Sequence, residues 1–406
     1  MKAGTGYSNM QESFKAGKYV AQTALENGGI KTPDLLMAFC NSSQDAEEFF
    51  NGVKEVVGSA PVIGGSAIGI ITNDNISYEG YPAGALALQS EKIALEIGSV
   101  KDLDKDEYKA GSELGKILSP SEKSKLLFLL YDSIKKAATP SSPPIMNASR
   151  PLIAGIEKHL HSKVPIIGAG VLGDYGFRIT KQFCGDHVAS QCSVGMMLSG
   201  DFKVYHAVMH GCTPLDGNYL TITKKEGPFI YEINGVPACE LIDKLYGSQE
   251  WRNQMPVNLL TIGVNRGEKY ADFAEGNYVN RLITGALPDG KGICLFEPDL
   301  DVGSEIQFML RDALKIIESA KENTERIFEQ IEADKRQPYC GIYIDCAGRV
   351  SILSHTQTEE ASEVQRMFKK KNIPLLGFYS GVEIAPVNGM SLGLDWTGVL
   401  MVLTEK

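Results

Sequence analysis

Apolar positions along this chain alternate between helical stripes and short unbroken runs. QESFKAGKYVAQTALENGG (11–29) carries apolar residues at helical spacing and stops at Gly28-Gly29, which predicts a helix with a glycine end. DLLMAFC (34–40) is a run of strand length. QDAEEFFNGVKEVVG (44–58) places Phe49, Phe50, Val53, Val56 and Val57 on one stripe, a second helix. APVIGGSAIG (60–69) and GALALQ (84–89) then read as strands.

The same order returns twice. LLFLLYD (126–132) is a strand, SRPLIAGIEKHLH (149–161) a helix with Ser149 as its expected N-cap, and VPIIGAGVLGD (164–174) and SVGMMLS (193–199) are strands. Near the end come YCGIYIDC (339–346), TEEASEVQRMFKKK (358–371), IPLLGFYSGVE (373–383) and GVLMVLT (398–404). Each unit reads strand, helix, Pro-led strand ending in Gly, loop, later strand, with Gly-to-Gly spacings of 20 (Gly64 to Gly84), 27 (Gly168 to Gly195) and 21 (Gly377 to Gly398). A weaker fourth unit is expected from PFIYEIN (228–234), PACELIDKLYG (237–247), PVNLLTIGVNRGE (256–268) and GICLFEP (292–298). One long helix stands outside the pattern, residues 304–336, with Leu310, Leu314, Ile317, Thr324, Ile327 and Ile331 near one face and Pro338 barring continuation. Prolines and serines make TPSSPPIMN (139–147) a loop. The fold class expected is α/β in the broad sense, mixed α+β: two related domains of repeated strand-helix-strand-strand units, with mixed sheets flanked by helices.

At 406 residues the chain is too long for one ordinary core, and two domains are the natural division. The composition, 43% hydrophobic and 22% charged, is that of a globular protein. A formal charge of −10, with no basic stripe, argues against nucleic acid as a partner. No apolar run suits a signal peptide or approaches a membrane span. Eight scattered cysteines with no C-x-x-C pair read as reduced thiols of a cytoplasmic protein.

Specific catalytic signals are absent from the sequence. GAGVLG (168–173) fits G-x-G-x-x-G, but DYGFRITKQF follows it and offers no helix to a phosphate; no cofactor is implied. His206, His210 and Cys212 share one parity, yet on a strand the two histidines stand about 13 Å apart and cannot share a metal. Cys40 and Cys346 lie at strand ends, with His355 close to Cys346 in sequence, as nucleophile candidates or as core cysteines. The loops beyond the strand ends hold Asn41, Ser42, Ser66, Asn265, Arg266, Arg349, Tyr379, Ser380 and Glu383, with Cys346 beside them. An Arg349 fork pairs with a carboxylate and Glu383 with an ammonium, which together suit an amino-acid-like ligand; alternatively the two bridge each other or cap a turn.

Several segments resemble a known family. GYS (6–8) leads into FKAGKYVAQTAL, and residues 210–247 run from a Gly-Cys-x-Pro turn to an I-x-E-hydrophobic-N-G-x-P-A stretch before a helix. With DVGSEIQFMLRD (301–312), DCAGR (345–349) and GFYSGVEIAPVNG…LDWTGVLMVL (377–403), these resemble the tandem FIST domains over nearly the whole chain. The resemblance implies an N-terminal domain at 1–212 and a C-terminal domain at 213–406. It implies a stand-alone intracellular sensory module of signal transduction that binds a small ligand such as an amino acid and acts through a separate signalling protein. The other readings are an interaction scaffold using the 304–336 helix and, third, a cysteine-dependent enzyme.

Overall fold

The computed structural model describes residues 1–118, 121–137, 144–160 and 164–405. Its first unit contains β1 (Lys2–Ser8), α1 (Ser13–Gly28), β2 (Leu35–Cys40), α2 (Ala46–Val57), β3 (Val62–Ser66), the hairpin β4 (Ile70–Thr72) and β5 (Ile76–Ser77), and β6 (Ala83–Gln89). Strands β2 and β3 pair in parallel; β6 lies antiparallel to both β2 and β1. The apolar stripes of α1 and α2 cover one face, with Val20, Ala24, Phe49 and Val53 fully buried against Leu36, Ala38 and Val62.

A second unit repeats this plan. It comprises β7 (Ile93–Val100), α3 (Glu107–Ile117), β8 (Ser124–Asp132), a short pair β9 (Ile134–Lys136) and β10 (Ile145–Met146), α4 (Ser149–Glu157), β11 (Ile166–Val171), the hairpin β12 (Gln182–Gly185) and β13 (Val188–Ala189), and β14 (Ser193–Gly200). Again the first and Pro-led strands, β8 and β11, are parallel, and β14 runs antiparallel to β8 and β7. Ala148, not Ser149, holds the N-cap position of α4, and its side chain makes no capping bond. The Ser149 N–H is met from elsewhere in the chain, by Glu297. Most of the proline-rich stretch 139–147 lies outside the described residues; its end forms β10.

The third unit opens with β15 (Lys203–Met209) and is interrupted by an insertion. The inserted strands are β16 (Cys212–Pro214), β17 (Leu220–Glu226), β18 (Phe229–Ile233), β19 (Val236–Pro237), β20 (Leu260–Asn265), β21 (Tyr278–Arg281), β22 (Ile283–Ala286), β23 (Ile293–Leu295) and β24 (Glu305–Arg311), with α5 (Ala238–Tyr246) between β19 and β20. The unit resumes with α6 (Ala313–Ala333), β25 (Gln337–Cys346), the short α7 (Ser351–Ser354), α8 (Ala361–Lys371), β26 (Leu375–Ser380), the hairpin β27 (Val382–Val387) and β28 (Met390–Leu394), and β29 (Gly398–Glu405). Here β25 and β26 are parallel and β29 is antiparallel to β25 and β15.

The three sheets are joined by a cyclic exchange. The β4–β5 hairpin of the first unit extends the third unit's sheet at β26, β12–β13 extends the first at β3, and β27–β28 extends the second at β11. Each Pro-led strand would otherwise be a bare edge with unpaired backbone groups. The glycine three residues after each proline has a steric reason. Gly64, Gly168 and Gly377 face Ala38, Leu129 and Tyr343 in the register, and a Cβ on Gly168 would fall 1.8 Å from the Leu129 carbonyl oxygen. Gly168→Ala is therefore expected to cost about 1–3 kcal/mol, seen as a lower urea midpoint. An unchanged midpoint would show that the β8–β11 ladder gives way without loss.

Two expectations need correction. The fourth unit is not a copy: every pairing among the inserted strands is antiparallel, and β20 lies between β21 and β24. Its proline precedes its glycine by seven residues (Pro256, Gly263), not three, so the close parallel packing has no counterpart. The expected helix 304–336 is a strand followed by a helix. β24 takes Glu305–Arg311, Asp312 caps the start of α6 by accepting from the N–H of Leu314 and Lys315, and the helix ends at Ala333. Thr324, Ile327 and Ile331 are buried as expected, whereas Leu310 and Leu314 are exposed.

The junction between β15 and β16 is built tightly. Gly211 has φ +67°, and a Cβ there would meet Ile316 Cα at 2.5 Å. Glu275 accepts hydrogen bonds from the His210 and Gly211 N–H groups (both 2.6 Å) and from Ser319 Oγ (2.7 Å). Among the described residues no helix is long and apolar enough to cross a membrane.

Candidate functional site

Strand β25 is apolar and buried along most of its length, and it carries Asp345 and Cys346 into the interior at its C-terminal end. The following turn brings Arg349 back beneath Asp345. Arg349 donates from Nε to Asp345 Oδ1 and Glu360 Oε1 (3.1 Å each) and from Nη1 to the carbonyls of His210 and Trp396 (3.1 Å each). Its Nη2 stands 2.9 Å from Glu360 Oε1, which also accepts from Tyr343 Oη at 2.7 Å. This guanidinium is already occupied by its own chain. It ties the end of β25 to the start of α8, to the β15–β16 junction and to the segment before β29.

Glu383 sits on β27, opposite Ala169 of β11 and Leu394 of β28, and accepts from Ser380 Oγ at 2.9 Å. Asp395, just past β28, accepts the Leu282 N–H at 2.9 Å, and Glu297 accepts the Ser149 N–H at 2.9 Å. Tyr131, at the end of β8, points its hydroxyl under Gly170. Glu297, Asp395 and Glu383 all raise the pKa of that phenol, after burial itself, and Glu383 acts in turn on Asp345 and Cys346.

These groups form a buried cluster, the cage, with polar atoms to spare. Tyr131 Oη, Glu297 Oε2, Asp345 Oδ2, Glu383 Oε2 and Asp395 Oδ1 have no hydrogen-bond partner among the described residues. None of the five side chains is more than 1% exposed, so a charge on any of them is poorly solvated. Burial accordingly pushes Asp395 up to about 6 and Glu297 up to about 8, and holds Asp345 and Glu383 well above the carboxylate range. Nearby cations are already committed. Arg281 is paired in bidentate fashion with Asp299, and Arg311 lies 3.5 Å from the centre of the Trp396 ring and donates to the Asn258 carbonyl. Arg311 Nε, Trp396 Nε1 and Arg349 Nη2 also lack a hydrogen-bond partner, although Nη2 stands 2.9 Å from Glu360 Oε1, so unmatched oxygens outnumber unmatched donors. Tyr175 donates to the Ala347 carbonyl at 2.8 Å and Phe177 packs on Phe296, so the β11–β12 segment lies over the end of β25.

Of the residues expected from the sequence, Arg349, Cys346, Tyr379, Ser380 and Glu383 come together here. Tyr379 is buried and packs edge-on against Tyr78, and its hydroxyl donates to Glu359 at 3.4 Å. Asn41 and Ser66 occupy the matching strand ends of the first unit. Asn41 bonds the Gly80 carbonyl and the Ser43 N–H, Ser66 Oγ accepts from the Lys181 N–H, and neither is hydrogen-bonded to the cage. Ser42 is half-buried beside Gly173. Asn265 shapes a turn by accepting the Gly267 N–H, and Arg266 is exposed, near Asp299 and Arg281. The sequence reading missed Tyr131, Glu297, Asp345, Glu360 and Asp395. A usable signal existed for three of them: each of LFEP, YIDC and LDW puts an acid, Glu297, Asp345 and Asp395, at or near the end of an apolar run. Burial raises the Cys346 and Cys40 thiols, which keeps both from acting as ready thiolates at neutral pH. His210 is fully buried and accepts the Cys212 N–H at 2.9 Å, and among the described residues no three His, Cys, Asp or Glu side chains are placed to hold a metal.

An uncharacterized protein of Mycobacterium tuberculosis is 26% identical over 395 residues, covering 96% of each chain. One from Mycobacterium bovis is 24% identical over 252 residues, 61% of this chain and 63% of that protein. A solved chorismatase aligns over 99% of this chain at 9% identity with a TM-score of 0.37, a likeness too slight to carry an argument. The FIST N domain matches residues 34–236 and the FIST C domain residues 238–386. FIST domains are in general sensory domains of signal transduction. With both domains in tandem across most of its length, this chain belongs to the FIST family.

Proposed function

We propose that this protein is a cytoplasmic sensory module that binds a small amine-bearing ligand, an amino acid being the leading class, in the cage around Glu383. Occupancy would be passed to a separate signalling protein. The carrying observation is the set of unmatched buried oxygens on Glu383, Asp395, Asp345 and Glu297, with the Tyr131 hydroxyl beside them. An ammonium group has three donors and no acceptor, which complements leftover carboxyl oxygens. The structure modifies the expectation drawn from the sequence. Arg349 supports the cage by fixing Asp345 and Glu360, so the ligand's carboxylate, if it has one, must find other donors. Entry requires the β11–β12 segment that bears Tyr175 and Phe177 to move aside. The reading takes the domain division at 212/213 as a proposal, with β15 on one side of it pairing β29 on the other.

A ligand panel tests this at pH 7. Amines and amino acids should raise the melting temperature, by the equivalent of about 2.7 kcal/mol at 100 times the dissociation constant. Simple organic acids should not. Because neutral carboxyls would ionise as the ammonium enters, calorimetry in buffers of different ionisation enthalpy should register protons released. A panel with no response, or one answering to organic acids alone, would sink the proposal.

A further inference from the structure

Cys184 and Cys192 are eight positions apart, the first within one sheet and the second at the start of a strand of another. Cys184 is on β12, whose partner β3 belongs to the first unit, and Cys192 immediately precedes β14 of the second unit. Their sulfurs are 3.4 Å apart, the one sulfur-to-sulfur contact among the described residues. The Cys192 N–H donates to Gln182 Oε1, and the Cys184 N–H to the His187 carbonyl, so both backbones are held in place. Both thiols are reduced and neither lines the Glu383 cage.

We propose that Cys184 and Cys192 are a modification site at which a hydroperoxide forms an intramolecular disulfide. The sulfurs need to approach by only about 1.3 Å to reach bonding distance, a shift within the reach of side-chain rotation. The other six cysteines have no such neighbour. The hydrogen bond between the two thiols holds Cys192 below its ordinary pKa and raises Cys184, which makes Cys192 the attacking thiolate. In the first step the Cys192 thiolate attacks the terminal peroxide oxygen, the O–O bond breaks, and an alcohol or water leaves with one proton. In the second step the Cys184 thiol attacks the Cys192 sulfenic acid, the S–S bond forms and water leaves. The two thiols are oxidised by two electrons and the hydroperoxide is reduced by two. Peroxide would enter at the connecting turn, where Asp186 is exposed.

The product would staple the exchanged β12–β13 hairpin to the strand that follows it, locking the first and second sheets together. The test uses the full chain treated with hydrogen peroxide, then denatured, alkylated and digested with trypsin without reduction. Both cysteines fall on one peptide, residues 182–203, bounded by Lys181 and Lys203. The expected product is that peptide two hydrogens lighter and unalkylated, reverting on treatment with dithiothreitol. The oxidised protein should also melt at a higher temperature, and Cys192→Ser should abolish both effects. If both thiols remain alkylatable under excess peroxide, the proposal is overturned. It is equally overturned if Cys192 proceeds to sulfinic acid while Cys184 stays free, or if another cysteine reacts first. None of these outcomes bears on the ligand site.

Discussion

Arg349→Ala is expected to destabilise the protein by about 3–5 kcal/mol, enough to leave much of it unfolded or insoluble near 37 °C. Arg349 is 1% exposed and faces two carboxyl side chains, Asp345 and Glu360, neither of which has another cation in hydrogen-bond reach among the described residues. Removing it strands the charge of the pair in a dry interior and leaves the His210 and Trp396 carbonyls without their Nη1 donor. Each stranded acceptor adds about 1–3 kcal/mol of desolvation cost. Arg349→Lys keeps a charge but cannot span four acceptors with one ammonium, so an intermediate loss is expected. The measurement is the urea midpoint of the three proteins under one buffer. A loss below about 1 kcal/mol for the alanine variant would mean that Asp345 and Glu360 satisfy each other by sharing a proton, and that Arg349 is not the keystone. The resemblance placed Arg349 in a family motif; the structure explains that motif as a four-way tie within the chain.

The repeating units were legible because their signals are local. Pro61, Pro165 and Pro374 each stand three residues before a glycine, and the first two helices announce themselves by stripe and glycine end. What joins the units was not legible. No residue in Ile70–Ser77 states that this hairpin pairs with Phe378, some three hundred residues away, because strand pairing depends on which edge is left open after the units fold. The start of α6 was misplaced for a related reason. Ile306, Phe308 and Leu310 alternate in strand fashion, but they merge with the helical stripe that follows, and only the Asp312 cap marks the change. The site was half visible. Glu383 and Arg349 stood out as charges in otherwise apolar surroundings, whereas Glu360, Asp395 and Glu297 come from three distant segments that only the fold brings together.

Glu383→Gln is expected to raise stability at pH 8, leave it nearly unchanged at pH 5, and remove the response to amines. The sign follows from the carboxyls of the cage. A buried acid with a raised pKa keeps its proton in the folded state after the unfolded chain has lost it at about pH 4. Between the two values the unfolded state binds fewer protons, so each such group weakens folding as pH rises. For Asp395, at about 6, the loss amounts to about 3 kcal/mol by pH 7, and Glu297, at about 8, continues it upward. The wild-type protein should therefore melt at a lower temperature at pH 8 than at pH 5.5. Glu383 acts in this direction too, through burial first and then the neighbouring Asp395, partly offset by the Ser380 hydrogen bond and by Arg349. Glutamine reproduces the neutral acid: its carbonyl takes the place of Oε1 at Ser380, and its amide presents two donors toward Asp345 and Asp395. At position 383 nothing then has to ionise at pH 8, and the carboxylate at the centre of the proposed ammonium site is gone. Melting curves of both proteins across this pH range, with and without a responding amine, check the prediction. A variant weakened equally at pH 5 and pH 8, with its amine response intact, would mean that Glu383 is packing rather than a binding group. A gain in stability joined to a loss of response would mark the carboxyl as retained at a cost to the fold, which is what a binding site requires of a group that packing alone would replace.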